Sequence, residues 1–211
     1  LYLSWGTVIN SASWQVVPLL LSYSFGPTVA GLYFLGYRLA NIPMSFVGSA
    51  IGQLVLQRSA VEIAQGRSVA NLVEKVLGKL IMFSVLPFLV LAFVAPPVFS
   101  VVFGKDWVTA GVYLRITIPL FFLQFLASPM SMVLIAMQKQ GTVALLQALM
   151  LIGALGSILI GKRMGTSTGC LAFYTAVQTI IYFLYLIIII RCSEASPRMV
   201  LREAIAYRQM D

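Results

Sequence analysis

The sequence predicts an all-α polytopic membrane protein, and three observations carry that reading. Of its 211 residues 60% are hydrophobic and 9% charged, with a mean hydropathy of +0.97, against an apolar share of about half in a soluble domain. Six apolar runs are each long enough to cross about 30 Å of hydrocarbon at roughly twenty residues per span. None of the six acidic residues falls inside a run. Runs of this length satisfy their own backbone groups as helices, whereas barrel strands would be short and alternating.

The spans are expected near 5–24, 30–57, 77–103, 110–137, 142–161 and 169–190, as one six-helix unit over 1–191 with a basic tail over 192–211. Turn signals separate them: SFGPT, FGKDW, KQG and GKRMGTSTG. The connection after the second span is longer, QRSAVEIAQGRSVANLVEKVLGK, and its mixed charges read as a surface helix leading into span three. In span five Gly153, Ser157 and Gly161, broadened by Gly156, form a small-residue ladder suited to close helix packing. Trp5, Tyr23, Tyr33, Trp107, Tyr113 and Tyr174 fall near expected span ends, where amphipathic rings prefer the interface.

Orientation follows from the basic residues. Nine of them (Arg58, Arg67, Lys75, Lys79, Lys139, Arg191, Arg198, Arg202 and Arg208) lie on one side, and Lys105, Lys162 and Arg163 on the other. The positive-inside rule places the nine in the cytoplasm, together with Leu1 and the tail. In the tail, PRMVLREAIAYRQMD is expected as a short amphipathic helix against anionic lipid.

Two arginines stand out because they are inside apolar runs. An unpaired charge at membrane depth costs about 2.5–3.5 kcal/mol on the mild insertion scale, so Arg38 and Arg115 each need an anion, water or an interface. Arg38 shares a helical face with Asn41, Ser45, Ser49 and Gly52, at spacings of three and four. Pro43 removes a backbone hydrogen bond beside that face. In span four Gln124, Ser128 and Ser131 share a face, and Arg115 joins it only if Pro119 redirects the helix. Arg115 also reads as shallower than Arg38, within snorkelling reach of outer headgroups. Span one carries Ser11, Gln15, Pro18 and Ser22, and span six Thr175, Gln178, Thr179 and Tyr182, at helical spacing. Each stripe has two readings, interhelical glue or the lining of a polar cavity. Trp14 and Tyr37 sit deeper than the other rings, where stacking on a sugar is an option.

Composition also excludes classes. The chain has no His and two cysteines, Cys170 and Cys192, one at each end of the last run; no transition-metal site, cofactor or disulfide framework is expected. The net charge of +8 is explained by membrane orientation, so nucleic acid is not an expected partner. A membrane glycosyltransferase or ligase would show an acidic or His-bearing external loop, and the outer loops offer only Asp106. The first run lacks the basic flank and cleavage site of a signal peptide. With six spans and Leu1 at its start, the chain reads as the second half of a roughly twelve-span transporter.

The segments AGLYFLGYRLANIPMSFVGSAIGQLVLQR and VFGKDWVTAGVYLRITIPLFFLQFLASPMSMVLIAMQKQ resemble the C-terminal half of bacterial polysaccharide-biosynthesis membrane proteins. These are Wzx-type lipid-linked oligosaccharide flippases of the multidrug/oligosaccharidyl-lipid/polysaccharide exporter superfamily. The resemblance implies one bundle of a two-bundle, alternating-access transporter of the inner membrane, not an enzyme. Its cargo would be an oligosaccharide on undecaprenyl diphosphate. Substrate contacts are then expected from Arg38, Asn41, Ser45, Gln15, Gln124, Ser128 and Arg115, with Arg38 on the diphosphate. The expected partners are that lipid, membrane lipids and an N-terminal bundle of the same protein. Two alternatives within the superfamily stay open. One is a cell-wall precursor flippase, the other an ion-coupled drug exporter, which would be expected to carry an intramembrane carboxylate.

Overall fold

The computed structural model describes residues 16–206, which are helical throughout apart from short turns, with no strand among them. The helices are α1 (Val16–Phe25), α2 (Pro27–Ala64), α3 (Ala70–Phe103), α4 (Val108–Ala136), α5 (Gln140–Gly161), α6 (Ser167–Cys192) and α7 (Pro197–Ala206). Five of them, α2 to α6, are long and apolar enough to cross a membrane. The remainder of the expected first span, and Gln15 with it, lies outside the described residues.

The breaks are local and chemical. Gly26 takes φ of +91°, a conformation side chains disfavour, and Pro27 starts α2 at a position where its missing N–H costs nothing. Thr166 caps α6 by accepting from the Gly169 N–H at 3.2 Å. The prolines inside helices (Pro43, Pro87, Pro96, Pro97, Pro119 and Pro129) do not end them.

The expected surface helix between spans two and three is a correction. The connector is the projecting end of α2, a turn at Gln65–Val69, and the start of α3. At 1.5 Å per residue the 38 residues of α2 run about 57 Å, well beyond about 30 Å of hydrocarbon. Hydropathy sees only the part that lipid covers, so the polar continuation of the same helix looked like a new element. The Arg67–Glu62 ion pair closes its turn.

Packing centres on α4, which touches α2, α3 and α6; α5 lies on α6 and α7 on α3. More than half of α4's most apolar stretch, 56%, is buried, against 11% of α3's. Close approaches fix the directions. A Cβ on Gly36 would lie 3.1 Å from the Ala110 oxygen, and one on Gly52 3.6 Å from Pro129 Cα, so α2 and α4 run parallel. Gly111 faces Pro96 while Phe88 meets Phe122 and Phe125, so α3 runs antiparallel to both. Gly153 meets Ile181 and Gly161 meets Cys170, which lays α5 antiparallel on α6 as the small-residue ladder predicts, although Gly156 faces open space.

This alternation gathers the connector, the turn after α4 and the start of α7 at one end of the bundle, the basic end. There α7 packs Val200 and Ala204 against Gly78 of α3. The Ser196 N–H donates to Glu74 Oε1 at 2.7 Å. Leu201, Ile205, Arg198 and Arg202 remain on its exposed face. Cys170 and Cys192 are both free thiols.

Candidate functional site

The residues singled out from sequence divide between two environments. On α2, Arg38, Ser45 and Ser49 are exposed and Asn41 is half-buried. Ser45 Oγ donates to the Ile42 oxygen at 2.8 Å and Ser49 Oγ to the Phe46 oxygen at 3.0 Å. Their protons are therefore held by the helix while their lone pairs face outward. Arg38 makes no ion pair with a described residue. Among the described residues the one ion pair is Arg67–Glu62, and Glu62 stands 24 residues along the same helix, about 36 Å away. Gly52 leaves this stripe, because it is buried against Met132 and Pro129 of α4.

Arg38 is 11 residues into α2, about 16 Å along the axis. The pairing of Gly36 with Ala110 and Leu114 sets Arg115 at nearly the same level, so Arg115 is not shallower than Arg38 as expected. Arg115 is exposed and Gln124 buried, and the structure keeps them apart.

The expected α4 stripe is split as well. Gln124 is buried and its Oε1 has no hydrogen-bond partner, whereas Ser128 is exposed and its carbonyl accepts from Ser131 Oγ at 2.7 Å. The span-six residues point inward: Thr175, Gln178 and Tyr182 are buried, and Gln178 Nε2 donates to the Met150 oxygen of α5 at 2.8 Å. Gln178 is thus interhelical glue, while the Thr175 and Thr179 hydroxyls are buried without a hydrogen-bond partner. Of the expected site, Arg38, Asn41 and Ser45 are brought together on one accessible face.

Several expected belt tyrosines are also corrected. Tyr33, Tyr113 and Tyr174 are buried in the bundle, while Tyr23 and Trp107 are exposed near helix ends. Tyr33 of α2 and Tyr174 of α6 are buried near each other. Tyr37 lies 6.2 Å from Tyr33 and 5.9 Å from Phe121, ring centre to ring centre. Tyr113 Oη and Ser167 Oγ are 2.7 Å apart. The signal was available: Tyr33 and Tyr37 are four apart, and Tyr174, Gln178, Tyr182 and Tyr185 recur at four, four and three, one helical face each. Polar rings on a packing face satisfy one another where lipid would not.

Chemically, α2 presents a guanidinium with an amide one turn further along and two hydroxyl oxygens two and three turns along, a set suited to an oxyanion followed by a polyhydroxy group. Among the described residues no cluster of three His, Cys, Asp or Glu side chains forms. No curated protein and no solved structure matches the chain. A family model described as polysaccharide biosynthesis protein matches residues 1–111, more than half of the chain and all of α2 with its polar face. With its spanning helices, the chain is a multi-pass membrane protein that belongs to the polysaccharide biosynthesis protein family.

Proposed function

We propose that this chain is the C-terminal bundle of a flippase that carries oligosaccharide on undecaprenyl diphosphate across the bacterial inner membrane by alternating access. It is not an enzyme in this reading. The observation that supports it most is Arg38, a fixed cation about 16 Å along α2, exposed and without an acidic partner among the described residues. A bare guanidinium at membrane depth is costly unless an anion meets it, and its planar fork matches two phosphate oxygens.

Asn41 and Ser45 continue that face toward the basic end and offer an amide and hydroxyl lone pairs to the first sugars. The wall opposite would come from the N-terminal bundle; Ser128 and Arg115 are exposed on α4 and remain candidate contacts in this reading. Gln124 is too enclosed to touch cargo in this conformation.

The test is export of surface polysaccharide in a strain whose own flippase is deleted. Restoration by the full-length parent gene is expected. A parent that is inserted at normal abundance but restores nothing, while lowering drug accumulation, would replace this reading with the drug exporter.

A further inference from the structure

The side of α2 away from Arg38 carries a different feature. Both α2 and α3 lean on α4 while touching each other little, and a groove of about 940 Å³ runs between them with Phe125 in its wall. Val47 and Leu54 of α2 and Phe83 of α3 line it and are exposed, so it is open along its length. Its lining is apolar except for Ser84, whose hydroxyl is turned onto the Leu80 oxygen at 2.6 Å, and Arg58 and Lys79 at the basic end. Charge is thus confined to one mouth.

Length decides what fits. The groove extends from Leu39 to Arg58 on α2 and from Val76 to Phe99 on α3, about 28 and 34 Å at 1.5 Å per residue. That matches the whole hydrocarbon thickness of about 30 Å, whereas an acyl chain of a bilayer phospholipid is confined to its own leaflet, about half as far. A single apolar chain that fills the groove and ends in an anion must be longer than one leaflet.

We propose that the α2–α3 groove docks the carrier lipid, with its long isoprenoid chain along the groove and its phosphate on Arg58 and Lys79. This takes the lipid class from the function proposed above and adds a site for it. Arg38 and Arg58 are twenty residues apart, which puts them roughly 200° apart around the helix. The docked phosphate is therefore on the other side of α2 from the polar face. The groove is a recruitment site: it holds the carrier at the cytoplasmic surface before the headgroup passes round the end of α2 to reach Arg38.

The test places a photoreactive benzoylphenylalanine at Phe83, inside the groove, or at Phe93, which is exposed on α3 but outside it. The full-length protein is held in phosphatidylcholine and phosphatidylglycerol vesicles with a trace of sugar-free polyprenyl phosphate, and adducts are identified by mass. The polyprenyl adduct is expected at 83 and not at 93. Arg58→Gln with Lys79→Gln should lower it about tenfold, as expected for lost charge-assisted hydrogen bonds. Phospholipid adducts in proportion to bulk abundance, a protein adduct, or indifference to the double substitution would each overturn the proposal. The probe carries no sugar, so an adduct at 83 without export counts against the flippase alone, and export without the adduct counts against the groove alone.

Discussion

Replacing Arg38 with Ala separates binding from folding, because the structure gives the side chain nothing to hold. It is exposed, and the ion pair of the described residues lies elsewhere, so its loss should change stability by no more than about 0.5 kcal/mol. Membrane insertion should become easier, since a central Arg costs about 2.5–3.5 kcal/mol. Cargo binding is the opposite case: hydrogen bonds to charged groups contribute about 1.5–3 kcal/mol. A lost fork on a diphosphate should therefore weaken affinity roughly tenfold to a hundredfold, at 1.4 kcal/mol per decade. Arg38→Lys keeps the charge but not the two-pronged geometry and should fall between. The assay is affinity for lipid-linked oligosaccharide by the purified protein, alongside surface polysaccharide export at matched membrane abundance. Wild-type affinity and export in the Ala variant would refute the diphosphate role. A variant that loses abundance instead would show that Arg38 anchors the helix.

The other expectations concern packing. A Cβ at Gly111 would lie 2.6 Å from Pro96 Cα and 2.8 Å from the Ala95 oxygen, both backbone, so Gly111→Ala should cost about 1–3 kcal/mol through separation of α3 from α4. At Gly153 the obstruction is Ile181 Cδ1 at 2.4 Å, the end of a flexible side chain; Gly153→Ala should be near neutral, with Ala's helix propensity, worth about 1 kcal/mol, offsetting the shift. Equal melting temperatures for the two variants would contradict the packing scheme. Gln124→Leu removes a buried oxygen with no partner and should raise the melting temperature, by about 1 kcal/mol of stability; unchanged export alongside would keep Gln124 out of the cargo path. Glu74→Ala deletes the acceptor for the Ser196 N–H and should loosen α7, speeding trypsin cleavage at the already exposed Arg198 and Arg202. Unchanged cleavage there would mean that Val200 and Ala204 hold α7 unaided.

The fold class was legible because lipid permits so few ways to satisfy a backbone, and composition alone invokes that constraint. Helix extent was less so. The stretch RSAVEIA, which completes α2, carries Arg58 and Glu62 and so leaves the hydropathy signal, yet nothing in it breaks a helix until Gly66, whose φ is +68°. Which helix sits in the middle was not legible at all. In water a buried helix differs from a surface one by being apolar all round, but in lipid every span is apolar all round, so α4 and α3 read alike while their burial differs fivefold. The same ambiguity misplaced the tyrosines, since a ring near a span end can serve the interface or a neighbouring helix. Arg38 was legible as a candidate because a charge has no inexpensive position in lipid; the structure shows it exposed and without an ion pair among the described residues, and the Ala variant decides its role.

The residues proposed to act in function lie on one helix, and α2 resolves them by angle. Gly36, Gly48 and Gly52 are buried, with Gly36 and Gly52 set against α4. Arg38, Asn41, Ser45 and Ser49 look away from that seam, and Val47, Leu54 and Arg58 face the groove beside α3. Three successive residues of a helix are about 100° apart, so no short segment of α2 belongs to a single face, and Arg38, Leu39 and Ala40 already visit the polar face, the groove and the buried core. A deletion or a scan in blocks would blur all three. Single substitutions separate them: Gly52 should affect stability, Arg38 cargo affinity, and Arg58 capture of the carrier lipid. If Arg38 and Arg58 act in sequence, weakening both should reduce export by the product of the two single effects. A double variant no worse than the more damaging single would show that the two do not act in sequence.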